Sequence, residues 1–321
     1  MAKQRVSQLK EGEMVNSYFS VKFKKAPKEY RYGLMFEMRL ADLSGEITAK
    51  YWGDMDRGAM DALHSTISKG GVVRVIGDAR TFGDHLEIAI GKSQGGALKA
   101  LGPGEYDYRE LVGASPRDPE EMLSELREMM KGVEDPHLTA LLRSFFEDVG
   151  WVERFKHAPA SMMLHSNYIG GLLEHTLNVT KICAYSAQLY PGVDRDLAIT
   201  GAVLHDIGKM KEMEITSNID ITEEGMLRGH TVLGEEEVNK RIAEIEGFPE
   251  RLRMKLDNIV LSHMGEKDWG AARKPQIPEA VLVHLADLID AQVFQYLRAR
   301  EEADTEDLWV WNKRLGHVYL G

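Results

Sequence analysis

The sequence is short of the residues that staple a chain. One cysteine, Cys183, stands among 321 residues, which excludes an internal disulfide and any zinc site built from several thiolates. So little thiol fits a reducing compartment, and the expected location is cytoplasmic. There is no low-complexity tract and no internal repeat. No run approaches the ~18 apolar residues that a membrane helix needs. The opening Met1-Ala2-Lys3-Gln4-Arg5 leads into polar sequence rather than the apolar core of a signal peptide, so secretion is not expected, and with no long apolar run neither is a membrane partner.

What is present suits a folded chain with a sizeable core, at 43% hydrophobic and 28% charged residues. A length of 321 residues exceeds the size at which one core usually stops growing, which predicts two domains. The net charge of −11 argues against nucleic acid, but the average hides a split. Residues 1–100 hold 16 Lys+Arg against 12 Asp+Glu, and the remainder holds 24 against 39. On charge alone the basic part reads as a solvated face. The acidic part could still meet phosphates if divalent cations invert its field.

The first hundred residues alternate at period two. Leu34, Phe36, Met38 and Leu40 interleave with Met35, Glu37 and Arg39, and after the turn at Leu43-Ser44-Gly45-Glu46 the alternation resumes over Ile47 to Trp52. A short helix is expected near Met60 to Ser68, then a strand from Val72 to Ile76. A turn at Phe82-Gly83-Asp84 follows, then a strand carrying Leu86, Ile88 and Ile90. About five strands with one helix between the third and fourth fit a small Greek-key barrel of the OB type.

Gly95-Gly96, Gly102-Pro103-Gly104 and Ser115-Pro116 punctuate the next stretch. These signals predict an all-β domain over 1–96, a linker over 97–118 and an all-α domain over 119–321 with its core at about 160–300. Helical spacing begins at Pro119, with Met122, Leu126, Met129 and Met130, then Leu138, Leu141, Leu142, Phe145 and Phe146. The tail from Glu301 to Gly321, with Trp309 and Trp311, reads as a docking helix for this chain or a neighbour, which leaves a homo-oligomer open.

With 11 His and 20 Asp, about one His-Asp pair is expected by chance, so His205-Asp206 alone carries little. Its context carries more. Leu197 to Leu204 is an apolar, small-residue helix that delivers His205, Asp206 and Lys209 into a core, where such groups are costly unless paired or bound to metal. His175, His230, His263 and Asp287 occupy similar helical settings. Each alone reads as an ordinary polar group; five such helices in one domain make coincidence less tenable. Imidazole and carboxylate suit first-row divalent metals. His284 shares a face with Asp287 but reads as a core imidazole, and His64, His85, His137, His157 and His317 have no supporting context.

The order His175, His205-Asp206, Asp287 resembles the HD superfamily of metal-dependent phosphohydrolases, and the intervening His230 and His263 resemble its two-metal members. Pro159-Ala160-Ser161, His165, Tyr168, Gly170-Gly171-Leu172, Gly229-His230, Leu261-Ser262-His263 and Asp287 to Ala291 are similar to the YhaM-like 3′→5′ exoribonucleases. That family carries an N-terminal OB fold before a helical HD domain. The resemblance implies that His175, His205, Asp206 and Asp287 hold one metal. It implies that His230 and His263 hold a second, with Asp206 bridging. In catalysis Asp206 is expected to hold the ions at bridging distance, and Lys209, one helical turn beyond His205 and beside these ligands, to neutralise the scissile phosphate. The implied cofactor is one or two divalent ions per chain, manganese first among Mn, Mg, Co, Fe, Ni and Zn. Two such ions about 3.5–4 Å apart clamp the attacking and leaving oxygens of an in-line displacement. The family usually has a His where Met264 stands and often one where Ser166 stands.

OB folds grip single strands with aromatics and a basic groove. Here Lys22, Lys24, Lys25, Lys28 and Arg31 form a basic hairpin beside Tyr30 and Tyr32, with Lys50, Trp52 and Phe82 nearby. The expected partner is single-stranded RNA, or single-stranded DNA, and the implied activity is a metal-dependent exonuclease releasing nucleoside monophosphates. Two other readings stay open. One is an HD phosphohydrolase acting on nucleotides or cyclic nucleotides. The other is a single-strand-binding protein with a catalytically weak HD domain.

Overall fold

In the computed structural model of the chain, described for residues 3–83, 85–91, 95–102, 104–162, 166–303, 305 and 307–321, the period-two pattern closes on itself. His165, Asp84 and Pro103, named above, lie outside the described residues, as do Met1 and Ala2. Strands β1 (Met14–Lys24), β2 (Lys28–Tyr30), β3 (Gly33–Asp42) and β4 (Gly45–Trp52) precede helix α1 (Arg57–Thr66). Strands β5 (Val72–Phe82), β6 (His85–Gly91) and β7 (Ala97–Leu101) and the short helix α2 (Arg109–Val112) follow. The sheet order β1-β3-β4-β6-β5 is closed by a β1–β5 pairing, with β4–β6 the one parallel contact among these strands. β1 spans two neighbours because its register with β3 shifts between Val21 and Phe23, a local irregularity of the kind that bends a strand around a barrel. Phe19, Phe36, Met38, Leu40, Ile88 and Ile90 are all fully buried inside. α1 starts earlier than the spacing suggested, because the Asp56 carboxylate accepts the Ala59 N–H and caps it.

Two boundaries differ from the sequence reading. Residues 97–101, expected in the linker, form β7 on β5, with Leu98 buried. The stretch is too short and too weakly alternating to register as a strand, and the preceding Gly95-Gly96 reads as a breaker. The chain divides into two units, Met1–Gly113 with Ile215–Asn218, and Ala114–Glu214 with Ile219–Gly321.

In the second unit, helices α3 (Pro119–Lys131), α4 (Pro136–Phe146), α5 (Val149–His157), α6 (Gly171–Leu189) and α7 (Arg195–Leu204) come first. Then follow α8 (Lys209–Glu212), the hairpin β8 (Met213–Ile215) and β9 (Ile219–Ile221), α9 (Glu223–Ile242), α10 (Glu250–Ser262) and α11 (Pro278–Glu301). Asp118, Asp135, Asp148 and Asp194 cap four of these helices through their carboxylates, and Pro119 and Pro136 sit at first-turn positions where a missing N–H costs nothing. α6 and α7 supply the centre of the core, Leu172, Leu177, Val179, Ile199 and Val203 being fully buried.

The tail is not a docking helix. Residues 309–319 form a hairpin, β10 (Trp309–Asn312) on β11 (Gly316–Tyr319), with both tryptophans exposed. α11 also departs from expectation. By length and composition it could cross a membrane, and Val281, Leu285, Ile289, Val293 and Leu297 form an exposed apolar row along it. Its opposite side carries Asp287 and Asp290, whose carboxylates contact His175 inside the unit.

Candidate metal centre

Four imidazoles reach one centre, each oriented by a partner on its far nitrogen. His205 and His263 follow directly on the last residues of α7 and α10, where helix carbonyls lack intrahelical partners. Each ring fills that need: Nδ1–H of His205 donates to the Ala202 carbonyl at 2.7 Å, and that of His263 to the Val260 carbonyl at 2.7 Å. His175, on α6, donates from Nδ1 to Asp290 Oδ2 at 2.7 Å, and Asn178 Nδ2 holds the other Asp290 oxygen at 2.9 Å. His230 donates from Nδ1 to Glu212 Oε1 at 3.1 Å, an oxygen that also accepts the His230 backbone N–H at 3.0 Å. A carbonyl or carboxylate can only accept, so the proton sits on Nδ1 and every Nε2 turns its lone pair inward.

Those lone pairs face one another. His175 Nε2 lies 3.3 Å from His205 Nε2, and His230 Nε2 lies 3.3 Å from His263 Nε2. Asp206 stands between the pairs. Its Oδ2 is 3.4 Å from both His175 and His205, and its Oδ1 is 3.5 Å from His230 and 3.2 Å from His263. Asp287 Oδ1 adds a carboxylate 3.3 Å from His175. Asp206 is 1% exposed, yet neither oxygen accepts a hydrogen bond of good geometry among the described residues. Its cationic neighbour is Lys209, with Nζ 2.5 Å from Oδ2.

Facing lone pairs around a buried carboxylate repel unless positive charge lies among them. Ligand atoms about 2.0–2.2 Å from a shared cation stand roughly 3–3.5 Å apart at tetrahedral or octahedral angles, which matches the spacings here. The donors sort into two sets, His175, His205 and Asp287, and Asp206, His230 and His263, each with its ligand atoms within 4.8 Å of one another. The residue types and the orphaned carboxylate therefore fit one or two divalent cations.

Protonation tells the same story. Burial alone would raise Asp206, but Lys209, His205 and His175 outweigh it and hold the carboxyl well below its usual range. Burial likewise opposes ionisation of Asp287, and His175 overrides it. Burial would lower His175, but the Asp206, Asp287 and Asp290 carboxylates push it well above an ordinary imidazole. Lys209 is pushed up, Asp206 overcoming the effect of burial, and stays an ammonium.

The local chain is shaped for these approaches. A Cβ on Gly208 would stand 1.9 Å from the His230 carbonyl oxygen and 2.5 Å from the Gly234 nitrogen, so only glycine lets α8 lie against α9. Gly229, at φ 72°, breaks α9 one residue before His230 and turns that side chain toward Glu212. Glu212 and Asp290 were not singled out from the sequence as site residues. Their signal was weak: one acid follows Lys209 by three residues, the other follows Asp287 by three. His284 joins neither ligand set; it donates from Nδ1 to the His263 carbonyl at 2.7 Å.

The barrel's candidate residues fall into two classes. Tyr30 packs edge-on against Trp52, centroids 4.8 Å apart, and lies 6.3 Å from Tyr32, which is 70% exposed. Arg31 lies over the Tyr32 ring at 5.2 Å. Several lysines are already engaged: Lys22 on Asn218, Lys24 on the His64 carbonyl, Lys25 on Glu37 and Lys50 on Glu87. Lys50 also lies 4.5 Å over the exposed ring of Phe82. Cross-strand acids opposite the lysines account for much of this pairing. Lys28 and Arg31 enter no ion pair among the described residues.

A family model described as "HD domain" matches residues 172–292, a span that runs from α6 to α11 and holds every donor named above. The chain is 31% identical over 280 residues to 3′-5′ exoribonuclease YhaM of Oceanobacillus iheyensis, covering 86% of this chain and 84% of that one. It is 28% identical over 291 residues to 3′-5′ exoribonuclease YhaM of Shouchella clausii, covering 90% and 87%. Among solved structures it is similar to the OB domain of Ta0387 from Thermoplasma acidophilum, at 13% identity and a TM-score of 0.26, covering 32% of this chain and 91% of that one. Identity at this level along most of both chains shows that the protein belongs to the YhaM family of 3′-5′ exoribonucleases.

Proposed function

We propose that this chain is a divalent-metal-dependent 3′→5′ exonuclease of single-stranded RNA, releasing nucleoside 5′-monophosphates. The observation that carries the reading is Asp206, a buried carboxylate beside the Lys209 ammonium, set between two pairs of inward-facing imidazoles. His175, His205 and Asp287 would hold one cation, and His230 and His263 another, with Asp206 shared. Cations so held supply the Lewis acidity that stabilises phosphoryl transfer and makes hydroxide available near neutral pH, and manganese is the first to test.

The chain's own groups do the rest. Asp290 and Glu212 fix the tautomers of His175 and His230. Lys209, an ammonium beside Asp206, would offset negative charge on a phosphate. In the reaction, water adds to phosphorus, the P–O3′ bond breaks, and the released 3′-oxygen takes up a proton. The barrel would hold the strand through Tyr30, Tyr32 and Trp52, with Lys28 and Arg31 against the backbone; Lys50 and Phe82 form a second stacking position. Single-stranded DNA is the comparison substrate.

The direct test is digestion of 5′-end-labelled 20-mer RNA with Mn²⁺, beside His205→Ala and Asp206→Ala. A ladder shortening from the 3′ end in the wild type alone is expected. No product from the wild type, or equal product from the variants, would sink the reading.

A further inference from the structure

Adjoining the donors is a cavity of about 330 Å³, near the small end of the roughly 300–1,000 Å³ range of ligand sites. One end is formed by Lys209, Glu212, His230 and Asp287, at the proposed centre. The rest is of another character. Met162, Met213, Met264, Ile221 and Leu288 line it, and Trp269 stands beside them with 54% of its surface exposed. Trp269 ends a 3₁₀ turn, Lys267–Trp269, closed by Gly270 at φ 105°, and its ring lies 6.4 Å from that of His284. Nothing in the hydrolytic chemistry uses this tryptophan.

We propose that the cavity seats the 3′-terminal nucleoside of the strand, with Trp269 as the stacking surface for its base. This rests on the reading that the adjacent donors act on a phosphodiester. Three features support it. Apart from Lys209, no lysine or arginine lines the cavity among the described residues, so a second phosphate placed there would have no cation. A group one step beyond the scissile phosphate must then be uncharged, and a terminal nucleoside is; an internal segment is not. The volume holds one nucleoside rather than two. Three methionine side chains make an adaptable, polarisable wall that accepts purine and pyrimidine alike, and stacking on tryptophan does not depend on base identity. Chain-end specificity would thus follow from the walls of the cavity rather than from the donors.

The test uses the full-length protein with Mn²⁺ and two 20-mers, one ordinary and one whose 3′-terminal unit is abasic. In the wild type, kcat/KM should favour the ordinary end by about tenfold. In Trp269→Ala that ratio should collapse toward one, and in Trp269→Phe it should persist. Calorimetry gives a reading free of turnover: AMP should bind the wild type more tightly than ribose 5-phosphate, and Trp269→Ala should lose the difference. An undiminished ratio in Trp269→Ala, or equal loss on both 20-mers, would overturn the proposal. A wild type that cuts neither 20-mer removes the nuclease reading instead, and calorimetry then decides the cavity: AMP preference lost on Trp269→Ala supports it, and no preference overturns it.

Discussion

The barrel and the helical unit handle charge in opposite ways. In the barrel unit, charged side chains find ionic partners within the fold, at the surface or just beneath it: Lys25 lies 2.6 Å from Glu37, Lys50 lies 2.6 Å from Glu87, and the buried Asp42 carboxylate has Lys3 3.7 Å away. Its interior is apolar, with Phe36, Met38 and Ile88 fully buried. The helical unit instead buries His175, His205, His263 and Asp206 together; among the described residues neither Asp206 oxygen accepts a hydrogen bond of good geometry, and Lys209, 2.5 Å from Oδ2, is its cationic neighbour. A buried polar group without a partner costs about 1–3 kcal/mol, more if charged, so folding alone does not favour such a cluster. The contrast separates a scaffold complete in itself from one whose donors could take a cation.

The sharpest way to break that contrast is Asp206→Asn. The wild type should gain thermal stability on adding Mn²⁺, by about 2.7 kcal/mol at a hundredfold excess over Kd. The variant should lose most of that gain and all measurable nuclease activity. Calorimetry with and without EDTA checks this; no Mn²⁺ shift in the wild type would remove the cation from the account, and an equal shift in both proteins would remove Asp206 as its ligand. Asp290→Ala and Glu212→Ala keep every proposed ligand and free one imidazole each, so a smaller loss is expected, about 10–100-fold in metal affinity.

Next comes a matched pair of glycines. A Cβ at Gly208 would stand 1.9 Å from the His230 carbonyl oxygen, and one at Gly77 would stand 2.5 Å from the Ala89 carbonyl oxygen across β5 and β6. Both alanine variants should lose about 1–3 kcal/mol of stability through overpacking. Only Gly208→Ala should also lower kcat on a dinucleotide, because it displaces His230. Urea unfolding paired with dinucleotide hydrolysis separates the two effects.

The barrel's own contribution is tested by Tyr30→Ala and Trp52→Ala. Each should raise KM for a 20-mer about tenfold, the stacking of one base, and leave a dinucleotide unaffected. Equal effects on both substrates would make the cluster a packing feature.

How much of this was legible in the sequence follows from range. The strands of the barrel announce themselves through neighbours two apart, and the helices through neighbours three and four apart, so Leu34 to Trp52 and Pro119 to Phe146 could be read locally. β7 could not, since its stability comes from pairing with β5, some 25 residues earlier. The same holds for the tail hairpin, whose tryptophans resemble a helix anchor when seen alone. At the centre, the ligand types stood out because imidazole and carboxylate are anomalous on apolar helices. Glu212 and Asp290 did not, since an acid on a half-exposed helix is ordinary until the ring it orients is in place. Lys24 and Lys50 looked free because their partners, the His64 carbonyl on α1 and Glu87 on β6, lie far along the chain.

The smallest effect concerns a second acidic pair in the helical unit. Glu235 and Asp257 both reach Asn239, whose Nδ2 donates to Glu235 Oε1 at 2.8 Å and to Asp257 Oδ1 at 2.7 Å, and Arg253 bonds the other Asp257 oxygen at 2.8 Å. Burial raises Glu235, and facing Asp257 raises it further; Glu236 adds a little, while Arg253 and Asn239 oppose. Burial also raises Asp257. A carboxyl raised in the folded state stabilises while protonated, and that contribution is lost as pH climbs through its folded value. At neutral pH Glu235 is therefore a liability. Glu235→Gln keeps an acceptor for Asn239 and removes the charge, so it should stabilise the protein at pH 7–8 by less than about 1 kcal/mol, screening holding the value down. The gain should vanish as pH falls below the ordinary glutamate range, and Mn²⁺ should leave it unchanged. Here the chain answers crowded acids with an amide and a guanidinium of its own, so a metal-sensitive gain would show that buried acidity alone, without inward imidazoles, is enough to recruit a cation.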